Sequence, residues 1–247
     1  MDTSFEAKLK SLVNESAPSM QTRVEQDIHA LLSAGGDSYQ ALIYLIEDPN
    51  SDENIKAIAC WVLGKLKHKS SVAALLKAFD REEPNVTWEA AKALGCIRSK
   101  RAIKPLISAL LQNKDVEKRA ASAYVLGILR DRRATETLLG VLKNKCEQPK
   151  VRGHAAEALA WFGDRRKSVI DALMSGLGDT SVEVRFWSVF ALGELKIKRA
   201  AGELEKLSAR DNEVLLGWWS VSEEASNALG RIKSTSNANG RIGKRLT

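Results

Sequence analysis

One short pattern recurs six times along this 247-residue chain, and it constrains the fold more than any other feature. The copies read AIACWVLGKL (57–66), WEAAKALGCI (88–97), AASAYVLGIL (120–129), GHAAEALAWF (153–162), RFWSVFALGEL (185–195) and EEASNALGRI (223–232). A small residue anchors each copy: Gly64, Gly95, Gly127, Ala160, Gly193 and Gly230, spaced by 31, 32, 33, 33 and 37 residues. A period near 32 marks an array in which each unit is one supersecondary element too small to bury its own apolar face.

The unit is a helical one. Apolar residues fall nine before the anchor (Ile55, Val86, Val151, Val184, Val221) and one before it (Leu63, Leu94, Leu126, Leu159, Leu192, Leu229), with small residues five before it (Ala59, Ala90, Ser122, Ala155, Ser188, Ala225). That spacing is one face of an α-helix, small where a neighbour must come close. Each copy leads into a second amphipathic stretch: SVAALLKAF, AIKPLISALL, ATETLLGVL, VIDALMSGL and AAGELEKL. Polar or proline residues at the starts, among them Pro84, Asp115, Pro149 and Asp179, suit helix N-termini. With no alternating strand pattern, the expected fold is all-α: a right-handed α-solenoid of stacked antiparallel helix pairs over residues 51–232. Residues 1–21 are read as an N-terminal extension, 22–50 as a divergent capping repeat, and 233–247, polar and apolar-poor, as a disordered basic tail.

The turns inside the pairs carry the strongest chemical signal. At three, five and six residues past the anchor stand Lys67, Lys69 and Ser70; Arg98, Lys100 and Arg101; Arg130, Arg132 and Arg133; Gly163, Arg165 and Arg166; Lys196, Lys198 and Arg199. The fifth position is basic in all five copies and the sixth in four. In a solenoid equivalent turns line one edge about 10 Å apart, the spacing of packed helices. Five would span roughly 40 Å and meet about every third phosphate of a nucleic-acid strand. The connections on the other edge, EDPNSDEN, DREEP and GDTSVE, are acidic, although KNKCEQPK is not. The expected partner is a macromolecule with an anionic surface, protein first and nucleic acid as the alternative, because no RRM, KH or zinc-finger pattern accompanies the cations.

These units resemble the bacterial HEAT-like repeats of the phycobilisome lyase type, which read VRxxAAxALGxxGDxRAxxxLxxxL; KVRGHAAEALAWFGDRR and EVRFWSVFALGEL are the nearest copies. The resemblance covers residues 51–232 and implies a HEAT-type binding scaffold, or further a bilin lyase-type chromophore-handling subunit. Against that pattern, the third and fifth turn positions, often glycine and proline in the family, are lysine or arginine here. The HEAT-repeat enzyme deoxyhypusine hydroxylase places iron-binding His-Glu pairs seven and six before the anchor. Here those positions hold Ala57-Ile58, Trp88-Glu89, Ala120-Ala121, Gly153-His154, Phe186-Trp187 and Glu223-Glu224, so that activity is not expected.

A second candidate surface is aromatic. Positions three, six and seven before the anchor carry Trp61, Trp88, Tyr124, Phe186, Trp187 and Phe190, and the next segment adds Trp218 and Trp219. Phe186, Trp187, Phe190, Trp218 and Trp219 form either an exposed partner surface or a cluster covered by the long 209–221 connection folding back.

Chemistry of other kinds finds no support. GxSxG, P-loop, GxGxxG and HExxH patterns are absent, and His29, His68 and His154 fall in different units without ligand spacing, so neither metal nor cofactor is expected and the chain is read as non-enzymatic. Cys60, Cys96 and Cys146 form no CxxC and are odd in number, which points to reduced thiols and a cytoplasmic protein, with Cys60 a core filler. No membrane span or secretory leader is expected. The net charge of +7 permits an anionic partner without requiring one.

Overall fold

The structure, a computed structural model, describes residues 38–240. The expected extension 1–21, His29 and the first part of the capping repeat lie outside the described residues. The chain forms two compact units, one ending at Leu106 and one beginning at Ile107.

The first unit contains α1 (Ser38–Glu47), α2 (Glu53–Lys65), α3 (Val72–Phe79) and α4 (Pro84–Ile97), and α5 (Ile103–Gln112) spans the boundary. The first helices of successive repeats, α2 and α4, pack side by side, while α3 packs on α4 and α1 packs on α2 and α3. In the second unit, α6 (Val116–Leu129), α8 (Pro149–Phe162), α10 (Val182–Glu194) and α12 (Val221–Gly240) form one layer of consecutive neighbours. Against it lie the second helices α7 (Thr135–Lys143), α9 (Lys167–Gly176) and α11 (Ala201–Arg210). Both units are therefore all-α, built of stacked helix pairs as the period demands.

Local chemistry starts the helices where polar residues stand. Asp52 and Asp115 are N-caps whose carboxylates accept from Asn54 N–H and Glu117 N–H, and Pro84 and Pro149 occupy the first turns of α4 and α8. Asp179 stands two residues before the N-cap position of α10, which Ser181 fills without a side-chain cap bond; its carboxylate accepts from Ser181 N–H and pairs with Arg152.

The anchors set how close the helices come. A Cβ on Gly64 would lie 2.7 Å from Ala93 Cα, on Gly127 2.7 Å from Ala158 Cα, and on Gly193 2.6 Å from Ala228 Cβ. Each of these glycines thus seats the residue two before the next copy's anchor. The small residue five before the anchor faces the second-helix layer instead, since a Cβ on Gly176 of α9 would overlap Ser188 Oγ. At α12 the pattern changes: a Cβ on Gly230 would meet no neighbouring element within 4 Å among the described residues, and the row that reads Phe186, Val189, Gly193 in α10, all buried, becomes Glu223, Ser226, Gly230, all exposed. That helix presents a polar, exposed face where α10 presents a buried one.

Helix α12 also runs to Gly240, into the segment expected to be a disordered tail. Residues 241–247 lie outside the described residues. No described helix is long and apolar enough to cross a membrane.

Candidate partner-binding edge

Every first helix from α2 to α10 ends in the same way. The residue three past the anchor takes the left-handed conformation: Lys67 (φ 52°), Arg98 (54°), Arg130 (51°), Gly163 (65°) and Lys196 (53°). Its N–H closes the helix, bonding to Gly64 O, Leu94 O, Leu126 O, Ala160 O and Gly193 O respectively. This is the αL cap that glycine ordinarily fills, because a Cβ there costs about 1–2 kcal/mol. Four of the five copies nevertheless place a long cation in it. The fifth position then opens a single 3-10 turn, Lys69–Ser71, Lys100–Ala102, Arg132–Ala134 and Lys198–Ala200, leading into the second helix.

All thirteen predicted cations of the edge are exposed. They are not equivalent. In the second unit the sixth-position arginines are already neutralised: Arg133 makes a two-point pair with Asp131 (2.8 and 2.9 Å), Arg166 contacts Asp164 and Glu136 (2.7 and 2.6 Å), and Arg199 pairs with Asp171. The Arg166 hydrogen bond holds the Asp164 carboxyl below its ordinary range, and Lys167 and Arg199 do the same for Asp171. By contrast, Arg130, Arg165, Lys196 and Lys198 make no ion pair among the described residues, and Arg132 makes none but stands near enough to Asp164 to help lower its carboxyl. Arg165 donates to Lys196 O (3.4 Å), which sets two consecutive turns side by side, and the Arg130 guanidinium lies 5.7 Å from the exposed Trp161 ring. A cleft of about 650 Å³ opens between turns, lined by Arg132, Thr135, Glu136, Phe162, Gly163, Asp164, Arg165 and Arg166. In the first unit Lys67, Lys69, Arg98, Lys100 and Arg101 likewise have no carboxylate partner among the described residues.

The acidic connections, expected to give a negative edge, are largely consumed. A basic residue eight before the anchor reaches forward into the next connection in four copies: Lys56 to Glu83 (3.4 Å), Arg119 to Glu147 (2.9 Å), Arg152 to Asp179 (2.6 Å) and Arg185 to Asp211 (2.6 Å). Burial alone would raise the Asp179 carboxyl, but Arg152, Lys145 and the Ser181 N–H outweigh it and hold it well below the usual carboxylate range. Burial and the Arg119 bond oppose one another in the same way at Glu147, with the pair winning. This row was missed in the sequence, although its signal was there: a cation eight before the anchor, with an acid 26–28 residues later.

The aromatic expectation is divided by the structure. Phe186 and Trp187 are 1% and 5% exposed and so are not surface residues. The 211–220 segment folds over them, with Trp218 5.8 Å from Phe186 and 5.2 Å from Trp187, and Trp219 6.0 Å from Phe186. Phe190 is half-buried, between Trp161, Trp187 and Arg231. Trp218 and Trp219 remain exposed on their outer sides.

His154 Nδ1 lies 3.0 Å from Glu157 Oε2, with the Tyr124 ring edge-on, and His68 stacks on Tyr39. Among the described residues no group of three or more His, Cys, Asp and Glu side chains is placed to hold a metal ion. Burial pushes the Cys60 thiol up to about 12, in keeping with a packing role; Cys96 and Cys146 are exposed.

Stacked helix pairs with capped turns define a repeat scaffold of the α-solenoid class, and a family model described as HEAT repeats matches residues 39–127, 80–148, 103–180 and 144–218. The chain belongs to the HEAT-repeat family. Over 105 residues it is 32% identical to the bilin biosynthesis protein PecE of Mastigocladus laminosus, a stretch covering 40% of this chain and 39% of that protein. Over 81 residues it is 40% identical to deoxyhypusine hydroxylase of Gallus gallus, covering 33% of this chain and 26% of that enzyme. The chain thus spans about two fifths or less of the length of these relatives. The solved structure of YibA from Escherichia coli shares the fold, with a TM-score of 0.50 over 92% of each chain at 16% identity. The complex of CpcE and CpcF of phycocyanin lyase from Nostoc sp. PCC7120 aligns with a TM-score of 0.48, covering 92% of this chain and 94% of that one at 17% identity.

Proposed function

We propose that this chain is a partner-binding HEAT-repeat subunit whose turn edge receives an acidic protein surface, and that its role is binding rather than catalysis. The observation that carries the reading is the cations at left-handed caps, Arg130 and Lys196 in the second unit and, taken by itself, Lys67 and Arg98 in the first, where glycine would be easier to fold. A charge kept at a strained position is explained by what it meets outside the chain. The fifth-position row, Lys69, Lys100, Arg132, Arg165 and Lys198, adds exposed cations that make no ion pair among the described residues, although Arg132 faces Asp164. Protein is favoured over nucleic acid because the edge is mixed: Asp131, Glu136, Asp164 and Asp171 stand among the arginines, and a continuous phosphate chain would be repelled at each.

The test reverses the two rows separately. Arg132→Glu with Arg165→Glu and Lys198→Glu is expected to abolish capture of a purified acidic partner, whereas Arg133→Gln with Arg199→Gln should weaken it only a few fold. If neither set changes capture, the edge is solvated surface and the reading fails. A mobility-shift titration at low salt decides the nucleic-acid alternative: binding there, lost with the same triple reversal, would replace the protein reading.

A second reading, a bilin-handling subunit, draws on the relation to PecE. It predicts a shifted and intensified absorption band when a free bilin is titrated into the protein, or transfer of that bilin to an acceptor protein. Neither result under saturating bilin removes it.

A further inference from the structure

The segment between α11 and α12 does more than cover Phe186. It is a braced arm: Arg185 Nε holds the Asp211 carboxylate at 2.6 Å, Ser222 N–H donates to Asp211 O (2.7 Å), Val221 N–H donates to Glu213 O (3.0 Å), and Val214 pairs with Ser220 in a single antiparallel bridge. Trp218 N–H donates to Leu215 O (2.8 Å), closing a turn whose third residue, Gly217, has φ 82°. This is the geometry of a type II turn, which requires glycine at that place and accepts polar residues at the one before it.

The turn gives the arm two faces. Inward, Trp218 and Trp219 lie on Phe186 and Trp187, and the Trp219 indole N–H donates to Glu224 Oε2 (2.8 Å). Outward, Leu216 is 96% exposed, Val214 62% and Trp218 48%. Covering the aromatic pair accounts for the tryptophans. It does not account for a leucine at the tip, held there by a backbone ordered before any partner arrives.

The surrounding charge selects the occupant. From Glu203 to Glu224 there are six carboxylates and two cations, in a chain whose net charge is +7. Arg185 reaches in from α10 to pair with both Asp211 and Glu213, Arg231 reaches in from α12 to pair with Glu224, and Glu205 and Glu223 stay exposed. An anionic bilayer, the other usual destination of an exposed Leu-Trp loop, is repelled by such a rim. We propose that the arm docks into an apolar pocket bordered by lysine or arginine on a partner protein, with Leu216 as the anchor and Trp218 as the second contact. A preordered apolar tip loses little conformational freedom on binding, which suits it to that role. The proposal concerns a connection between repeats, and it stands independently of the turn edge.

The test places the photoreactive residue p-benzoylphenylalanine at position 216 of the full chain, irradiates it in its native extract and maps the joined peptide. The expected adduct is with one other protein, at apolar residues flanked by Lys or Arg. Purified, that protein should bind the wild type, lose at least tenfold in affinity to Leu216→Asp, and lose several fold, with most of its salt dependence, to Glu205→Lys with Glu223→Lys. Leu216→Ser should melt with the wild type, since the side chain is exposed. The proposal is overturned by adducts only between two copies of this chain, by adducts with no protein, or by an adduct partner whose affinity these changes leave intact. It is equally overturned by Leu216-dependent cosedimentation with phosphatidylcholine–phosphatidylglycerol vesicles.

Discussion

Replacing Arg98 by glycine should make the protein more stable while making its edge less cationic. Arg98 sits at φ 54° and ψ 39°, its N–H bonded to Leu94 O and Gly95 O at 3.1 Å, and its side chain is exposed. Those backbone bonds survive the substitution, so the change in the folded state is the release of left-handed strain, about 1–2 kcal/mol. Against it stands the greater freedom of glycine in the unfolded chain, about 0.4–1 kcal/mol. The net is a gain of about 0.5–1 kcal/mol, or roughly 1–4 °C in melting temperature for a chain of this size. Urea unfolding followed by circular dichroism measures it as a higher midpoint at constant slope. Gly163→Ala, at φ 65° with open space around its Cβ, is the mirror experiment and should lose about 1 kcal/mol. A lower midpoint for Arg98→Gly, or no loss for Gly163→Ala, would refute the idea that the cationic caps are kept at a cost in stability.

Other expectations can be measured on the same protein. Arg152→Met leaves the buried Asp179 carboxylate short of its main partner and should cost about 3 kcal/mol at pH 7. Because the Asp179, Glu147 and Glu83 carboxyls are held below their ordinary values, their contribution is complete above about pH 5 and is lost progressively as pH falls through the ordinary values to the folded ones; the wild type should weaken there, and its lead over Arg152→Met should narrow. Gly127→Val, driven against Ala158 Cα, should destabilise by at least about 1–3 kcal/mol, whereas Gly140→Ala on the exposed side of α7 should gain up to about 1 kcal/mol; equal effects at the two sites would remove the close-approach argument. Trp218→Ala should uncover Phe186 and Trp187, costing about 1–3 kcal/mol and red-shifting tryptophan emission, and an unchanged spectrum would show that the arm does not cover them.

The period and the anchor positions were enough to assign the helix pairs, because a repeat of about 32 residues states the same packing problem six times. The left-handed cap was legible only in part: the third position could be aligned, but its φ is fixed by the helix-ending hydrogen bond, which no side chain at Arg98 or Lys196 announces. Pairing along the edge depended on carboxylates of two kinds. Asp131 and Asp164 lie two residues before their arginines and could have been noticed, whereas Glu136 and Asp171 reach Arg166 and Arg199 from 30 and 28 residues away in sequence. The burial of Phe186 and Trp187 was not decidable from their own helix, since the cover comes from a connection whose path depends on the Arg185–Asp211 pair and on Gly217.

The forward-reaching ion pairs have a consequence for how the array comes apart. Each joins the start of one repeat's first helix to the connection that introduces the following repeat, so the entrances of two consecutive repeats are tied together. In a nearest-neighbour chain such ties raise the coupling between units relative to the stability of any one, which suppresses fraying and lengthens the stretch that opens together. Hydrogen exchange should therefore show amides of α8 and α10 exchanging in one cooperative event. In Arg152→Met that event should split into two.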